Sequence, residues 1–272
     1  MLGRAVVEAF SAQGRNVLGF SRQELDVTDP AACRQVVAQH KPATVINCTG
    51  YTKVDQAEDE EDLARLINAD GAGYLAEAAA EAEAKVVYFS TDFVFDGQKG
   101  KPYNEDDPPA PLSAYGRSKW AGEEATRRAN SNHMILRTAW LFGPHGNNFV
   151  KTILRLAGEK EELRVVDDQV GSPTFTLDLA ASLPGLLDLG QTGTYHLTNQ
   201  GQTTWFGLAA RAIKKAGHKV CLIPITSDQI GRKAIRPAFS ALNCGRLQAL
   251  GVSLKPWEEA VDDYLSPTGR GL

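Results

Sequence analysis

The 272-residue sequence has no clustered cysteines, no basic cluster and no long apolar run. Its four cysteines are scattered without a Cys-x-x-Cys pair, which argues against a zinc site or a disulfide framework and favours a reducing cytoplasm. The net charge is −4 and the basic residues are spread out, which argues against a nucleic-acid surface. No segment reaches membrane-spanning length or has the pattern of a signal peptide. We therefore expect a cytoplasmic protein with neither nucleic-acid nor membrane partners.

The sequence does contain apolar strand patterns that alternate with helical patterns. Strands are predicted at residues 16–20, 43–48, 86–89 and 134–140, and helices at residues 2–13, 29–40, 60–83 and 148–156. The strands are rich in Val and Ile without in-out patterning, which is typical of a buried parallel sheet. We therefore predict an α/β fold with a doubly wound, Rossmann-like parallel sheet, whose strand carboxyl ends meet at one crevice.

The beginning of this predicted fold is incomplete. Dinucleotide-binding folds normally start with a strand and a glycine-rich turn, where backbone N–H groups and a helix dipole hold the pyrophosphate. Here the sequence begins within the first helix, and Gly3 is the candidate for the last glycine of that turn. We therefore expect the sheet to lack its first strand, and the chain to be short by about ten residues.

The pattern loosens after residue 163 into short strands and Gly/Pro loops. We predict a dinucleotide-binding domain over residues 1–163. Residues 164–272 are predicted to form mainly a smaller C-terminal substrate lobe, with a strand at residues 193–197 that returns to the sheet. Neither internal repeats nor a low-complexity linker interrupt the chain.

Tyr115 and Lys119 are the first candidates for chemistry. Four residues apart on a helix, they lie on one face, one turn from each other. An ammonium beside a phenol favours the phenolate, so we expect the pKa of Tyr115 to fall toward neutrality. A Tyr-x-x-x-Lys match arises by chance in roughly one chain in three of this length, and a solvated helix face is the alternative. The preceding strand strengthens the signal because it ends in two hydroxyls, Ser90 and Thr91.

Other chemistries have little support. The five histidines show no pairing with a nearby Ser or Cys nucleophile, so hydrolase chemistry is not indicated. The acidic runs at residues 58–62 and 105–107 are predicted to be a solvated helix start and a polar loop. No metal site is indicated.

Taken together, these motifs resemble the extended short-chain dehydrogenases/reductases and, within them, the dTDP-4-dehydrorhamnose reductases. The likeness rests on the order and spacing of blocks at residues 2–4, 25–27, 45–47, 51–55, 90–97, 115–119, 137–140, 168–174 and 236–240. It implies NADPH-dependent reduction of the C4 ketone of dTDP-4-dehydro-L-rhamnose to dTDP-L-rhamnose, a precursor of polysaccharides. NADH is the alternative cofactor, and a homodimer is the expected assembly.

The resemblance also implies roles for individual residues. Tyr115 donates the proton to the C4 oxygen, Lys119 binds the nicotinamide ribose and stabilises the tyrosinate, and Thr91 polarises the carbonyl. The residues implied in substrate binding are Thr91, Asp92, Trp140 and Arg236. For Trp140 the alternative is core packing, and for Arg236, the candidate for the diphosphate, it is a surface turn.

The cofactor is implied to contact residues from several strand ends. Arg22 follows the first strand where an acidic residue would select NADH, and an arginine there can pair with a 2′-phosphate, so NADPH is favoured over NADH. The alternative for Arg22 is a plain surface position. The cofactor set is Gly3, Arg22, Asp26, Val27, Gly50, Tyr51, Thr52, Phe89, Tyr115 and Lys119.

Two other functions stay open from the sequence. Similar sequences serve as the non-catalytic, dinucleotide-binding β subunit of methionine adenosyltransferase, although the intact Tyr115 and Lys119 pair argues against that role. A related sugar-nucleotide epimerase or dehydratase is the other alternative. A dehydratase would place a glutamate after Asp92, and Phe93 occupies that position.

Overall fold

A computed structural model describes residues 1–266 of the chain. Its α-helices are α1 Leu2–Ala12, α2 Pro30–His40, α3 Glu61–Arg65, α4 Gly71–Glu81, α5 Ala114–Ala129, α6 Phe149–Glu159, α7 Thr176–Asp188, α8 Trp205–Ala216, α9 Gly245–Gln248 and α10 Trp257–Tyr264. Its strands are β1 Thr44–Asn47, β2 Lys85–Thr91, β3 His133–Thr138, β4 Leu141–Phe142, β5 Glu162–Val166, β6 Val170–Gly171, β7 Thr174–Phe175, β8 Gly193–His196, β9 Thr203–Thr204 and β10 Cys221–Ile225. Within residues 1–266, no helix is both long and apolar enough to cross a membrane.

The central sheet is parallel and covered on both faces, which confirms the predicted fold class. Its strand order is β1-β2-β3-β8, and every pairing within it is parallel. Val87 and Phe89 of β2 pack against α1 and α7, whereas Val86 and Tyr88 pack against α4 on the opposite face. Because all the strands run the same way, β1, β2 and β3 end at one edge of the sheet.

The strand predicted at residues 16–20 is not formed, and that prediction is wrong. The segment is largely exposed, with Leu18 at 55% and Phe20 at 44% of their maximal accessibility. β1 is the edge of the sheet, and no strand within residues 1–266 pairs with its outer side. An apolar run becomes a strand only where a neighbour satisfies its backbone groups, and residues 16–20 have none.

The long helix predicted at residues 60–83 is interrupted. α3 and α4 are separated by a π-helical turn, Leu66–Asp70. The Asn68 side chain accepts a hydrogen bond from the Tyr51 backbone N–H at 2.8 Å and donates to the Ser118 hydroxyl at 2.9 Å. Such single π turns interrupt α-helices frequently at functional sites. Here the turn joins the segment after β1 to α5.

The second half of the chain contributes to two cores. α6, α8 and α10 surround one apolar cluster together with β5, while β5 pairs with β10 in a separate sheet. β8 joins the central sheet beside β3, and α7 packs on that sheet against α1. α7 has no counterpart among the predicted elements, because Pro184 lies inside it and interrupts a helical pattern. Residues 267–272 of the predicted substrate lobe lie outside the described residues.

The packing of α5 on the π turn gives a stability prediction. A methyl group at Gly122 of α5 would clash with the Asn68 carbonyl oxygen and the Tyr88 hydroxyl, whereas a methyl group at Gly185 of α7 would meet no atom within 4 Å. We expect Gly122→Ala to lower the free energy of unfolding by about 1–3 kcal/mol through overpacking. Gly185→Ala is the matched control and should raise it by up to about 1 kcal/mol, because Ala is the better helix former. Urea unfolding measures both, and a Gly122→Ala protein as stable as wild type would contradict the packing described.

Candidate active site

The first turn of α5 is fixed against the turn that follows β2. Ser113 caps α5, its hydroxyl accepting from the Gly116 N–H at 3.1 Å. A Cβ at Gly116 would clash with the Phe93 carbonyl oxygen, so only glycine allows this approach. The Tyr115 ring consequently lies edge-on to Phe93, with ring centroids 5.5 Å apart, and its hydroxyl is close enough to the Thr91 side chain for that side chain to affect its pKa.

Lys119 lies one turn further along α5 and is buried. Its ammonium donates to the Phe89 carbonyl oxygen at 2.6 Å and lies 4.1 Å from the centroid of the Tyr88 ring. Burial lowers the pKa of Lys119 to about 7, and the Glu123 carboxylate opposes this shift. The ammonium is therefore close to its midpoint at neutral pH.

The pKa of Tyr115 differs from the sequence expectation. Burial raises it, the nearby Thr91 side chain lowers it, and the Asp92 carboxylate raises it, so that the pKa is about 12. The predicted fall toward neutrality is therefore wrong for this structure. The Lys119 ammonium is directed at the Phe89 carbonyl and the Tyr88 ring, so the charge that acts most on the phenol is that of Asp92.

Thr91, Asp92 and Ser240 form a hydrogen-bonded chain that leads away from Tyr115. The Thr91 hydroxyl donates to Asp92 Oδ1 at 3.0 Å, and the Ser240 hydroxyl donates to Asp92 Oδ2 at 2.5 Å. Burial raises the pKa of Asp92 to about 6, against the lowering effect of these two hydrogen bonds. Ser240 had no predicted role, because a serine after an Arg-Pro pair carries no pattern that points to a distant carboxylate.

A cleft of about 730 Å³ opens beside this chain of hydroxyls. Trp140 lines it and adopts a left-handed backbone conformation with φ of 46°. Its indole stacks on Trp205 at a centroid distance of 3.6 Å, and a Cβ at Gly171 would clash with it. Trp140 therefore packs against the core, which was its alternative, and also faces the cleft, whereas its contact with substrate stays a prediction.

Arg236 also lines the cleft, but its guanidinium already has an anionic partner. Both of its terminal nitrogens donate to the Asp55 carboxylate, at 3.0 and 2.7 Å. This pairing holds the pKa of Asp55 at about 2. The sequence suggested either an arginine free to bind phosphate or an arginine in a surface turn. In the structure Arg236 is instead paired with a carboxylate of the protein itself.

Several predicted cofactor residues lie near the carboxyl edge of the sheet. A Cβ at Gly3 in α1 would lie 3.4 Å from Cys48, which directly follows β1 and is close enough to Lys119 for their charges to interact. Gly50 and Tyr51 contact Asn68, which is bonded to α5 through Ser118. These contacts bring together Gly3, Gly50, Tyr51, Phe89, Tyr115 and Lys119.

Other predicted cofactor residues lie apart from that group. Thr52 is exposed, and Val27 is buried in a separate cluster with α2 and α4. Asp26 accepts hydrogen bonds from Thr28, which lower its pKa most, and Arg22 lies 3.6 Å from it. The Arg22 side chain is 75% exposed, so it is accessible to a phosphate but also has the plain surface position that was its alternative.

Within residues 1–266, no group of three or more His, Cys, Asp or Glu side chains is arranged to hold a metal ion. The buried carboxylate nearest to Lys119 along α5, Glu123, binds Arg137 through both oxygens at 2.8 and 2.7 Å. That ion pair fixes α5 to β3 and was not predicted, because the partners come from different elements.

Comparison with known proteins places this geometry in a family. A dTDP-4-dehydrorhamnose reductase from Streptomyces griseus is 41% identical over 271 residues, covering 97% of this chain and 89% of that protein. A dTDP-4-keto-6-deoxy-D-glucose reductase from Streptomyces niveus is 37% identical over 264 residues, covering 96% and 92%. The crystal structure of dTDP-4-dehydrorhamnose reductase from Bacillus anthracis in complex with NADP has a TM-score of 0.93 at 40% identity and covers 96% of this chain and 93% of that one.

The family model for the RmlD substrate binding domain matches residues 1–269, which is almost the whole chain. The relatives match over similar lengths, so the agreement is not confined to the dinucleotide-binding half. The resemblance drawn from the sequence motifs is thereby confirmed, and the chain belongs to the RmlD substrate binding domain family.

Proposed function

We propose that this protein catalyses the NADPH-dependent reduction of the C4 ketone of dTDP-4-dehydro-L-rhamnose to dTDP-L-rhamnose. The observation that carries the proposal is the Tyr115 hydroxyl near the Thr91 side chain, one helical turn from the buried Lys119 and next to Phe93, which lines the cleft. The names of the relatives support the substrate class, since both act on dTDP-linked keto sugars by name.

The residues at the sheet edge fit a nicotinamide dinucleotide. The buried Lys119 ammonium contacts a carbonyl and a ring, and no carboxylate of residues 1–266 lies within salt-bridge distance of it, so its donors suit the hydroxyls of a ribose. Arg22 is an exposed cation suited to a 2′-phosphate, and the Bacillus anthracis relative was crystallised with NADP. When bound, NADPH supplies the hydride that reduces C4.

Tyr115 is suited to act as a general acid. With a pKa of about 12, its phenol carries its proton at neutral pH and can donate it to the C4 oxygen. The Thr91 hydroxyl, which now donates to Asp92, can turn to donate to the same oxygen and polarise the carbonyl. We assign stabilisation of the tyrosinate that remains after proton transfer to the charged form of Lys119, whose ammonium is held by the Phe89 carbonyl oxygen in this structure.

We also propose that the chain divides into two functional regions. We assign residues 1–163 to cofactor binding and residues 164–272 mainly to substrate binding, with β8 and α7 as the parts of the second region that pack on the central sheet. The Ser240 to Asp92 and Arg236 to Asp55 contacts join the two regions at the cleft. A cytoplasmic location and a homodimer remain predictions from the sequence.

The first test is turnover, followed as loss of NADPH absorbance with the dTDP-linked 4-keto sugar. We expect oxidation by the wild-type protein and a roughly 10²- to 10⁴-fold lower rate for Tyr115→Phe, because the proton donor is removed. Tyr195→Phe is the matched control, since that phenol donates to the Thr192 carbonyl oxygen in another part of the sheet. No oxidation by wild type, or an unchanged rate for Tyr115→Phe, would refute the proposal.

A second prediction concerns the burial of Lys119. Its pKa is about 7 in the folded chain, against about 10.4 when unfolded, so between these values the unfolded chain binds more protons. The contribution of this residue to the free energy of unfolding therefore rises with pH from about 7 to about 10.

Urea unfolding of wild type and Lys119→Met from pH 7 to 9.5 tests this prediction. We expect the difference between the two proteins to shift in favour of wild type as pH rises, because the penalty of burying an ammonium disappears. Lys160→Met, at an exposed position, serves as control and should show no such shift. A difference that is constant with pH would contradict the lowered pKa.

A further inference from the structure

Most of the charged residues that line the cleft are positive. Its lining includes three arginines, Arg164, Arg232 and Arg236, and one carboxylate, Asp228. Arg236 is already paired with Asp55 through two hydrogen bonds. The cleft therefore offers cations beyond those that the protein neutralises itself, which favours an anionic ligand.

Arg232 differs from Arg236 in having no partner. Within residues 1–266 it has no hydrogen bond and no ion pair, and its side chain is open to the cleft. Neighbouring protein nevertheless shields part of it from water, and this desolvation lowers the pKa of its guanidinium, with a further lowering by Arg236 and an opposing effect of Asp55. Water solvates such a cation incompletely, and a ligand can still reach it. Binding of an anion therefore stabilises it.

The segment that carries Arg232 is held in place before any ligand binds. Lys233 forms an ion pair with Asp59, and the Ala234 N–H donates to Asp55 at 3.1 Å. Arg236 binds the same Asp55 carboxylate. With its neighbours tethered in this way, little backbone freedom is lost when Arg232 contacts a ligand.

The same segment leads to the reacting end of the cleft. Eight residues after Arg232, Ser240 donates to Asp92, which is hydrogen-bonded to Thr91. Elsewhere the cleft is lined by aromatic rings, among them Trp140 stacked on Trp205. A sugar nucleotide has its anionic group between the sugar and the base, and a planar guanidinium fork matches the oxygens of two linked phosphates.

We infer that Arg232, rather than Arg236, binds the diphosphate bridge of the sugar nucleotide, while Arg236 positions the segment through Asp55. This inference rests on the proposed function for the identity of the ligand. It replaces the sequence-based assignment of the diphosphate to Arg236, whose charge is already paired with the Asp55 carboxylate.

Calorimetric titration with dTDP and with thymidine, which lacks phosphates, tests the inference. We expect Arg232→Gln to weaken dTDP binding about 10- to 100-fold, because a charge-assisted hydrogen-bond donor to phosphate is lost, and to leave thymidine binding unchanged. The loss should shrink as sodium chloride is added. Arg128→Gln removes an exposed arginine at the end of α5 and should bind both compounds like wild type.

Three outcomes would overturn the inference: unchanged dTDP affinity in Arg232→Gln, an equal loss of thymidine affinity, or no binding of dTDP to wild type. A phosphate-dependent loss in Arg236→Gln with none in Arg232→Gln would also overturn it. Turnover separates this inference from the proposed function. Wild-type protein that binds dTDP through Arg232 without reducing the keto sugar would refute only the reductase assignment, whereas normal turnover with an unchanged KM in Arg232→Gln would refute only the role of Arg232.

Discussion

The site depends on the close contact between the first turn of α5 and the turn that follows β2. Glycine at position 116 allows the helix backbone to approach the Phe93 carbonyl, and that approach brings the Tyr115 hydroxyl to Thr91. The same helix is attached to the π turn by the hydrogen bond between Ser118 and Asn68, and to β3 by the ion pair between Glu123 and Arg137. Three independent attachments therefore fix one helix, and the position of the Tyr115 phenol follows from them.

Burial of charged groups around this helix has a cost that folding must offset elsewhere. Lys119 and Asp92 are each almost fully buried, and in both cases burial shifts the pKa so that the charged form is disfavoured. Glu123 is equally buried but has the Arg137 guanidinium as its partner, and its pKa is lowered despite the burial. The contrast separates a structural ion pair from groups whose charges have no full partner within the described chain. Such groups are typical of sites where a ligand or a reaction completes the electrostatics.

The sequence predicted those features that depend on local spacing. The four-residue interval between Tyr115 and Lys119, the hydroxyls at the end of β2 and the parallel sheet could all be predicted, because each follows from the period of one element. Features that join distant segments could not. Ser240 and Asp92 are 148 residues apart, and Arg236 and Asp55 are 181 apart. The predicted pKa of Tyr115 was wrong for the same reason, since the pKa depends on where the Lys119 ammonium is held. The apolar run at residues 16–20 has the pattern of a strand, but within residues 1–266 no partner strand lies beside it.

Tyr115 holds its proton at neutral pH, and the proton donation to a substrate oxygen that we propose depends on this state. Carbon-13 labelling of the tyrosine ring carbon that bears the hydroxyl, with the Tyr115 signal assigned by its loss in Tyr115→Phe, measures this directly during a pH titration. We expect the chemical shift of Tyr115 to stay constant from pH 6 to 10, because its pKa is about 12. A titration midpoint near pH 7 would contradict it and would show that Lys119, not burial and Asp92, determines the state of the phenol.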